Sequence, residues 1–458
     1  MTNRWPTFCS AFFILWCLAL SQFQAGAANA NHFVFAHYMV CYAGYGQSIE
    51  GYTQEILAAK AAGLDGFALN VGAWKDSGPD WYYKARVKLL YEAAEKTAPD
   101  FKLFFSMDMT NMTDIMDMVR TYAPRTNTFR FQGKTVVSTY GAMDADWKAI
   151  RAQLSSEGIG VFFVPYFWGG TNTWTMSLEN GQKTTIKEYK DTLDGYYLFA
   201  TRLPKNIVTL NTASSQACKD AGKLFMAGYS PHYWGFCQPY DGRPYFESQG
   251  GEGTEMQWTN IIDLKPDWVE ITTWNDVIES TYLLPQREAE LLGNFPNTTP
   301  PLGRYFHGAY LELSKYYIQW YKTGVQPAID RDALFAFYRT QPTNAISSMT
   351  NDLPVTSFNG DVKDEIFITV MLRLPSSLEV SSGGTLTTNS LSPGLHHVRT
   401  SSNPGPQTFI IRRNGRAVVT VQGREIEGQN VRQYNFFPAT EYGYGMPPGA
   451  PNGLRVLE

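Results

Sequence analysis

The chain is short of the features that usually give a mechanism away. No block of basic residues interrupts its 458 positions, and 38 Lys and Arg stand against 42 Asp and Glu, a net charge of −4. That balance offers no electrostatic footing for nucleic acid or an anionic membrane surface. No apolar run beyond the first thirty residues reaches the length of a membrane span, so the mature chain is expected to have none. A glycine-rich phosphate loop, a His-Glu-x-x-His helix and a paired-cysteine motif are all missing, so nucleotide- or metal-dependent chemistry is not indicated and no cofactor is expected. "GYSPH", Gly228 to His232, lacks the final glycine of a nucleophile elbow.

Cysteine is scarce too. Of five, Cys9 and Cys17 lie in the amino-terminal segment, leaving Cys41, Cys218 and Cys237. In an oxidising compartment the expected bridge is Cys218 with Cys237, across a predicted strand, with Cys41 free; three buried thiols is the alternative.

Aromatic residues are plentiful: 12 Trp, 27 Tyr and 28 Phe make up 15% of the chain. Rings fill cores, but they also provide flat apolar platforms for the C–H faces of sugars. Beside modest charge, they favour a neutral, hydroxyl-rich ligand. The first thirty residues read as a signal peptide. Arg4 is the basic start, Phe8 to Leu20 the apolar core, and "AGAANA" ends the segment with small residues at Ala28 and Ala30. A cleaved, secreted or periplasmic protein is expected.

From residue 31 to about 330, short apolar β runs alternate with amphipathic stretches. Eight runs, beginning near His32, Leu64, Phe101, Lys134, Ile159, Asp194, Lys223 and Asp267, predict a (β/α)8 barrel of parallel strands. From Thr340 to 458 the texture is all β, with turns at Gly383-Gly384 and Asn414-Gly415, which predicts a β-sandwich.

Such barrels place their chemistry at the carboxyl ends of the strands. There the sequence offers His37, Asn70, Asp108, Tyr140, Tyr166 and Trp168, then Tyr229, Ser230, His232 and Trp234, and finally Trp274, Asn275, Asp276 and Glu279. Asp276 and Glu279 admit two readings. Asp-x-x-Glu is a helix capping box. Two carboxyl groups at a barrel mouth are also what glycoside hydrolysis needs, one protonating the leaving oxygen and one activating water or attacking carbon. Asp108, His37 and Asn70 are candidate hydroxyl binders, and Trp168, Trp234 and Trp274 candidate sugar platforms.

"VFAHYMV", "AGLDGFALNVG", "FKLFFSMDM", "FFVPYFW", "YSPHYW" and "PDWVEITTWNDVIES" occur in that order. Together they resemble glycoside hydrolase family 71, the endo-α-1,3-glucanases or mutanases, over most of the mature chain. The resemblance implies a barrel with a β-sandwich, an oligo- or polysaccharide substrate, inverting hydrolysis of α-1,3-glucan, and catalysis by Asp276 and Glu279. The pattern departs in two places. "NDVIEST" replaces Asn-Asp-Tyr-Gly-Glu-Ser-His, and Ser230-Pro231-His232-Tyr233 replaces Ser-Pro-Trp-Phe. Hydrolysis of another α-glucan, or glycan binding without turnover on the same scaffold, are the alternatives those departures leave.

Overall fold

The computed structural model describes residues 32–141, 145–167, 178–236, 242–286 and 305–446. The proposed signal segment, Trp168 and Cys237 lie outside them.

Eight parallel strands build the first body: β1 (Phe33–Met39), β2 (Gly66–Val71), β3 (Lys102–Met107), β4 (Lys134–Thr139), β5 (Val161–Phe163), β6 (Gly195–Tyr197), β7 (Leu224–Tyr229) and β8 (Trp268–Ile271). They pair in the order β5-β4-β3-β2-β1-β8-β7-β6 as one curled sheet, with the first strand beside the last. Between β5 and β6 the main chains are joined by Asp194 N–H to Phe163 O (2.8 Å) and Tyr197 N–H to Pro165 O (3.0 Å). All eight strands fall within the apolar runs read from the sequence. Buried on both faces, they carry no alternation, as parallel strands covered by helices should.

Helices α1 (Ile49–Ala61), α2 (Tyr82–Thr97), α3 (Met112–Tyr122), α4 (Trp147–Ser156), α5 (Leu178–Tyr189), α6 (Pro204–Ala221), α7 (Gly250–Leu264) and α8 (Gly308–Thr323) follow the strands in turn. Local chemistry sets their limits. Ser48, Asn111 and Asp146 cap α1, α3 and α4 by accepting a main-chain N–H three residues on. Gly222 and Gly324 end α6 and α8 in the left-handed conformation. Among the described residues no helix is long and apolar enough to cross a membrane.

Eight longer strands beyond residue 330 pair antiparallel: β9 (Ala333–Arg339), β10 (Glu365–Leu372), β11 (Ser376–Ser382), β12 (Thr385–Leu391), β13 (Gly394–Ser401), β14 (Gly405–Arg413), β15 (Arg416–Ile426) and β16 (Pro438–Tyr444). They form two four-stranded sheets, β13-β10-β9-β16 and β12-β11-β14-β15. The all-β part begins before Thr340, because "ALFAFYR" at 333–339 is a central strand. Every residue of it is buried, so it shows no alternation to mark it. On one side it meets α8 through Tyr310 and Phe337 (4.7 Å), and on the other the second sheet through Tyr338 and Phe409 (6.0 Å). A buried ion pair, Arg339 to Glu247 at 2.8 Å, ties this sheet to the first body.

Cys218 is a buried free thiol near the carboxyl end of α6. Cys237, its expected bridge partner, lies outside the described residues.

Candidate active site

Strand parity decides which side chains face the inside of the curl. Phe35, Ala68, Phe104, Val136, Phe162, Met226 and Trp268 belong to a buried apolar plug there. Two residues further along, side chains point inward again, and the layer turns polar: His37, Asn70, Ser106, Ser138 and Glu270, all buried. Two further still stand Asp108, Tyr140 and Tyr166, at the open carboxyl-end face.

The rings at this face form one cluster. Tyr140 lies 4.7 Å from Phe199 and 5.9 Å from Tyr166, and Phe199 sets its edge 5.2 Å from the His37 ring. Asp108 is solvent-exposed, yet the protein mass around it pushes its carboxyl above the usual range. The neighbouring His37 ring and a hydrogen bond from the Asn70 amide pull the other way. Burial raises the Tyr140 phenol, and the charge of Glu279 beside it raises it further. Asp108, Tyr140 and Glu279 therefore share one electrostatic neighbourhood.

Asp276 and Glu279 sit on a loop that returns on itself. Thr273 N–H bonds Thr281 O (2.9 Å), and the two threonine hydroxyls meet at 2.9 Å. Thr273 Oγ1 also accepts Asp276 N–H (2.8 Å). Asp276 Oδ1 accepts the N–H groups of Ile278 and Glu279, each at 3.0 Å. The capping geometry is real, but it closes a single turn over 277–280 rather than starting a helix. Glu279 is half-buried and Asp276 is 7% exposed.

Several expected sugar-binding residues turn out to hold this loop from behind. Trp274 has no exposed face; its indole N–H donates to Glu55 of α1 at 2.9 Å. Asn275 accepts Met39 N–H (2.7 Å) and donates to Met39 O and Tyr42 O, using its amide on the end of β1. His232 Nδ1 is 3.0 Å from Ser280 Oγ, and Trp234 N–H donates to Glu279 O at 3.0 Å. The Trp234 ring is fully buried against Phe436 and Phe437. Ser230, too, is buried and bonded to Gln257 of α7. Tyr229, three residues after inward-facing Met226, has the opposite parity and packs on Trp258 of α7. Trp274, Trp234 and Tyr229 are thus packing residues and no platforms.

The departures at 232 and 281 meet at the same spot. Thr281 supplies half of the clasp, and a histidine arrives at Ser280 from position 232 rather than from the loop itself. Burial, with His307 nearby, holds His232 well below the usual imidazole range.

Sequence reasoning missed three residues. Glu55 and Glu270 carry carboxyls inside the protein, Glu55 at the apolar spacing of a helix and Glu270 in mid-strand, where a buried acid is unexpected. Trp81, 48% exposed, begins α2 at the carboxyl end of the β2 unit, with Tyr82 and Tyr83 stacked beside it. Its signal was composition: a tryptophan in the polar stretch "KDSGPDW" has no core to enter. Among the described residues no group of three or more His, Cys, Asp or Glu is arranged to hold a metal ion.

Comparison with known proteins fits this geometry. The chain is 28% identical to the glucan endo-1,3-alpha-glucosidase agn1 of Schizosaccharomyces pombe over 449 residues, covering 92% of this chain and 97% of that protein. It is 25% identical to the mutanase Pc12g07500 of Penicillium rubens, covering 90% and 89%. The ascus wall endo-1,3-alpha-glucanase of S. pombe is 26% identical, with 82% and 87% covered. Among solved structures, a GH99 endo-alpha-mannosidase from Bacteroides thetaiotaomicron superposes with a TM-score of 0.48 at 14% identity, over 64% of this chain and 98% of that one. The profile of Glycosyl hydrolase family 71 matches residues 30–442, nine-tenths of the sequence, and the chain belongs to that family of glycoside hydrolases.

Proposed function

We propose that the protein cleaves α-1,3-glucan within the polymer, by inversion, at the mouth of a (β/α)8 barrel braced by a carboxyl-terminal β-sandwich. The observation that carries this reading is the closed loop 273–281, which presents Asp276 and Glu279 together beside Asp108 and Tyr140. Glu279 gives its proton to the departing glycosidic oxygen as the C1–O bond breaks. Asp276 takes a proton from the water whose oxygen bonds to C1 from the opposite side. Two main-chain N–H groups aimed at Asp276 Oδ1 suit the carboxylate that works ionised. Solvent then restores both protonation states. Export through a cleaved signal segment at 1–30 belongs to the same proposal, with 31–330 as the catalytic unit and the antiparallel part, from Ala333 onward, as the accessory one.

The direct test is reducing-sugar release from insoluble α-1,3-glucan by purified protein, with α-1,4- and β-1,3-glucans in parallel. Release from α-1,3-glucan alone is expected. Release from another α-glucan only would move the specificity, and no release by folded protein would remove the reading.

Trp81 enters this reading as an outlying platform for the polymer chain. Trp81→Ala is expected to raise KM for polymer about tenfold, the equivalent of roughly 1.4 kcal/mol. kcat and the hydrolysis of short oligomers should stay near wild type. Equal losses on short and long substrates would count against a platform at that position.

A further inference from the structure

We infer that Glu270 is a positioning residue: it keeps a proton on His37 Nδ1, so that Nε2 is left as a hydrogen-bond acceptor for a hydroxyl of a neutral sugar bound beside Asp108. This rests on the proposal that the cleft takes a glucan.

Glu270 and His37 sit on paired strands, β8 and β1, the last and first of the parallel sheet in chain order. Both are buried, at 0% and 1% exposure, and His37 Nδ1 lies 2.7 Å from Glu270 Oε1. Tyr197 lies beside the pair with its hydroxyl 3.1 Å from Thr272 Oγ1, and Glu270 Oε2, like His37 Nε2, is buried without a hydrogen-bond partner among the described residues. Burial pushes the Glu270 carboxyl above its ordinary range and the His37 contact pulls it back; with the proton of the pair on the imidazole, the carboxylate accepts and Nδ1 carries the hydrogen. The neutral ring then has its lone pair on Nε2.

That second nitrogen is buried and has no hydrogen-bond partner among the described residues. A buried polar atom left unmatched costs free energy, and native structures rarely tolerate it without a purpose. The ring around it faces Phe199 at 5.2 Å and Tyr140 at 6.3 Å, and it lies within electrostatic reach of Asp108. The Asp108 carboxyl has an acceptor oxygen in either protonation state. Two neighbouring acceptors call for two donors, which a pair of sugar hydroxyls supplies.

The experiment uses full-length protein labelled with 15N-histidine, practical because the chain has six histidines. The His37 resonances are assigned by loss in His37→Gln. In the wild type, Nδ1 is expected to be protonated and Nε2 bare, with the Nε2 signal shifting on saturation with an α-1,3-linked glucose oligomer. Glu270→Ala should mix the two tautomers and raise KM for the oligomer about tenfold, with kcat within about threefold. Glu270→Gln, whose Oε1 still accepts, should largely restore both. A wild-type His37 protonated at Nε2 overturns the proposal, and that reading needs neither a folded variant nor a substrate. A raised KM in Glu270→Ala with unchanged tautomers would reduce Glu270 to packing and overturn it too. Expected tautomers without any glucan hydrolysis would fault the proposed function and leave the tautomer assignment standing.

Discussion

Asp276→Asn and Glu279→Gln should each lower hydrolysis of α-1,3-glucan by about a thousandfold, the scale of a lost general acid or base. The two variants are chosen to leave the fold alone. Asn at 276 keeps an oxygen where Oδ1 accepts the N–H groups of Ile278 and Glu279, so the turn should persist. Asp276→Ala removes the cap as well and should cost about 1 kcal/mol of stability besides the activity. The comparison therefore separates two jobs done by one side chain. Glu279→Gln should regain much of its rate on a glycoside with an activated leaving group, which needs no proton, while Asp276→Asn should not. Retention of more than a tenth of wild-type turnover by either variant would dismiss that residue from the chemistry.

The second large effect belongs to Glu55, which never touches the cleft. Its Oε2 accepts the Trp274 indole N–H at 2.9 Å, and its Oε1 accepts Gly44 N–H at 2.9 Å and the Tyr38 hydroxyl at 3.1 Å. Glu55→Ala strips all three at once and opens a cavity under the loop 273–281, with an expected loss of about 3–5 kcal/mol. Burial lifts the Glu55 carboxyl from 4.5 to about 7 against the pull of the Trp274 and Tyr38 hydrogen bonds. A raised folded-state value means that the native protein holds this proton longer than the unfolded chain does. The stability so gained is full below about pH 4.5 and is lost as pH climbs towards 7, a span worth about 3 kcal/mol. Tyr38 is the partner that can turn from donor to acceptor when Glu55 is protonated. Urea unfolding at pH 5 and pH 8 reads this directly: Glu55→Gln should flatten the difference between the two. The same slope in wild type and Glu55→Gln would assign the pH dependence to other groups.

Much of this was legible in the sequence because parallel strands announce themselves. Continuous apolar runs such as "FVFAHYM" and "VFF" have one architecture available when helices alternate with them. Inward positions were legible as well: His37, Asn70, Asp108, Tyr140 and Tyr166 all share the parity of the buried plug. Tyr229 has the wrong parity, and counting from Met226 would have set it apart. The roles of Trp274, Asn275 and His232 were not readable, because what they touch is remote in sequence. Asn275 bonds residues more than 230 positions away, and Trp274 meets Glu55 across 219. Local pattern gives residue type and side of the chain; it cannot say that a tryptophan after a strand has been taken by a helix at the other end. Ala333–Arg339 escaped for a different reason, since burial on both faces erases the period of two.

The loop 273–281 closes on itself through the threonine clasp and the bonds to Asp276, but these do not place it against the sheet. Its other holds come from the end of β1, from α1 and from the stretch 232–234, so it acquires its shape only when the two ends of the parallel sheet have met. The enzyme is therefore unarmed while its chain is incomplete. A cut that frees β1 or α1 should silence hydrolysis while leaving the loop's own sequence whole. If Asp276 and Glu279 carry the reaction as proposed, a fragment holding that pair alone should not inherit the activity.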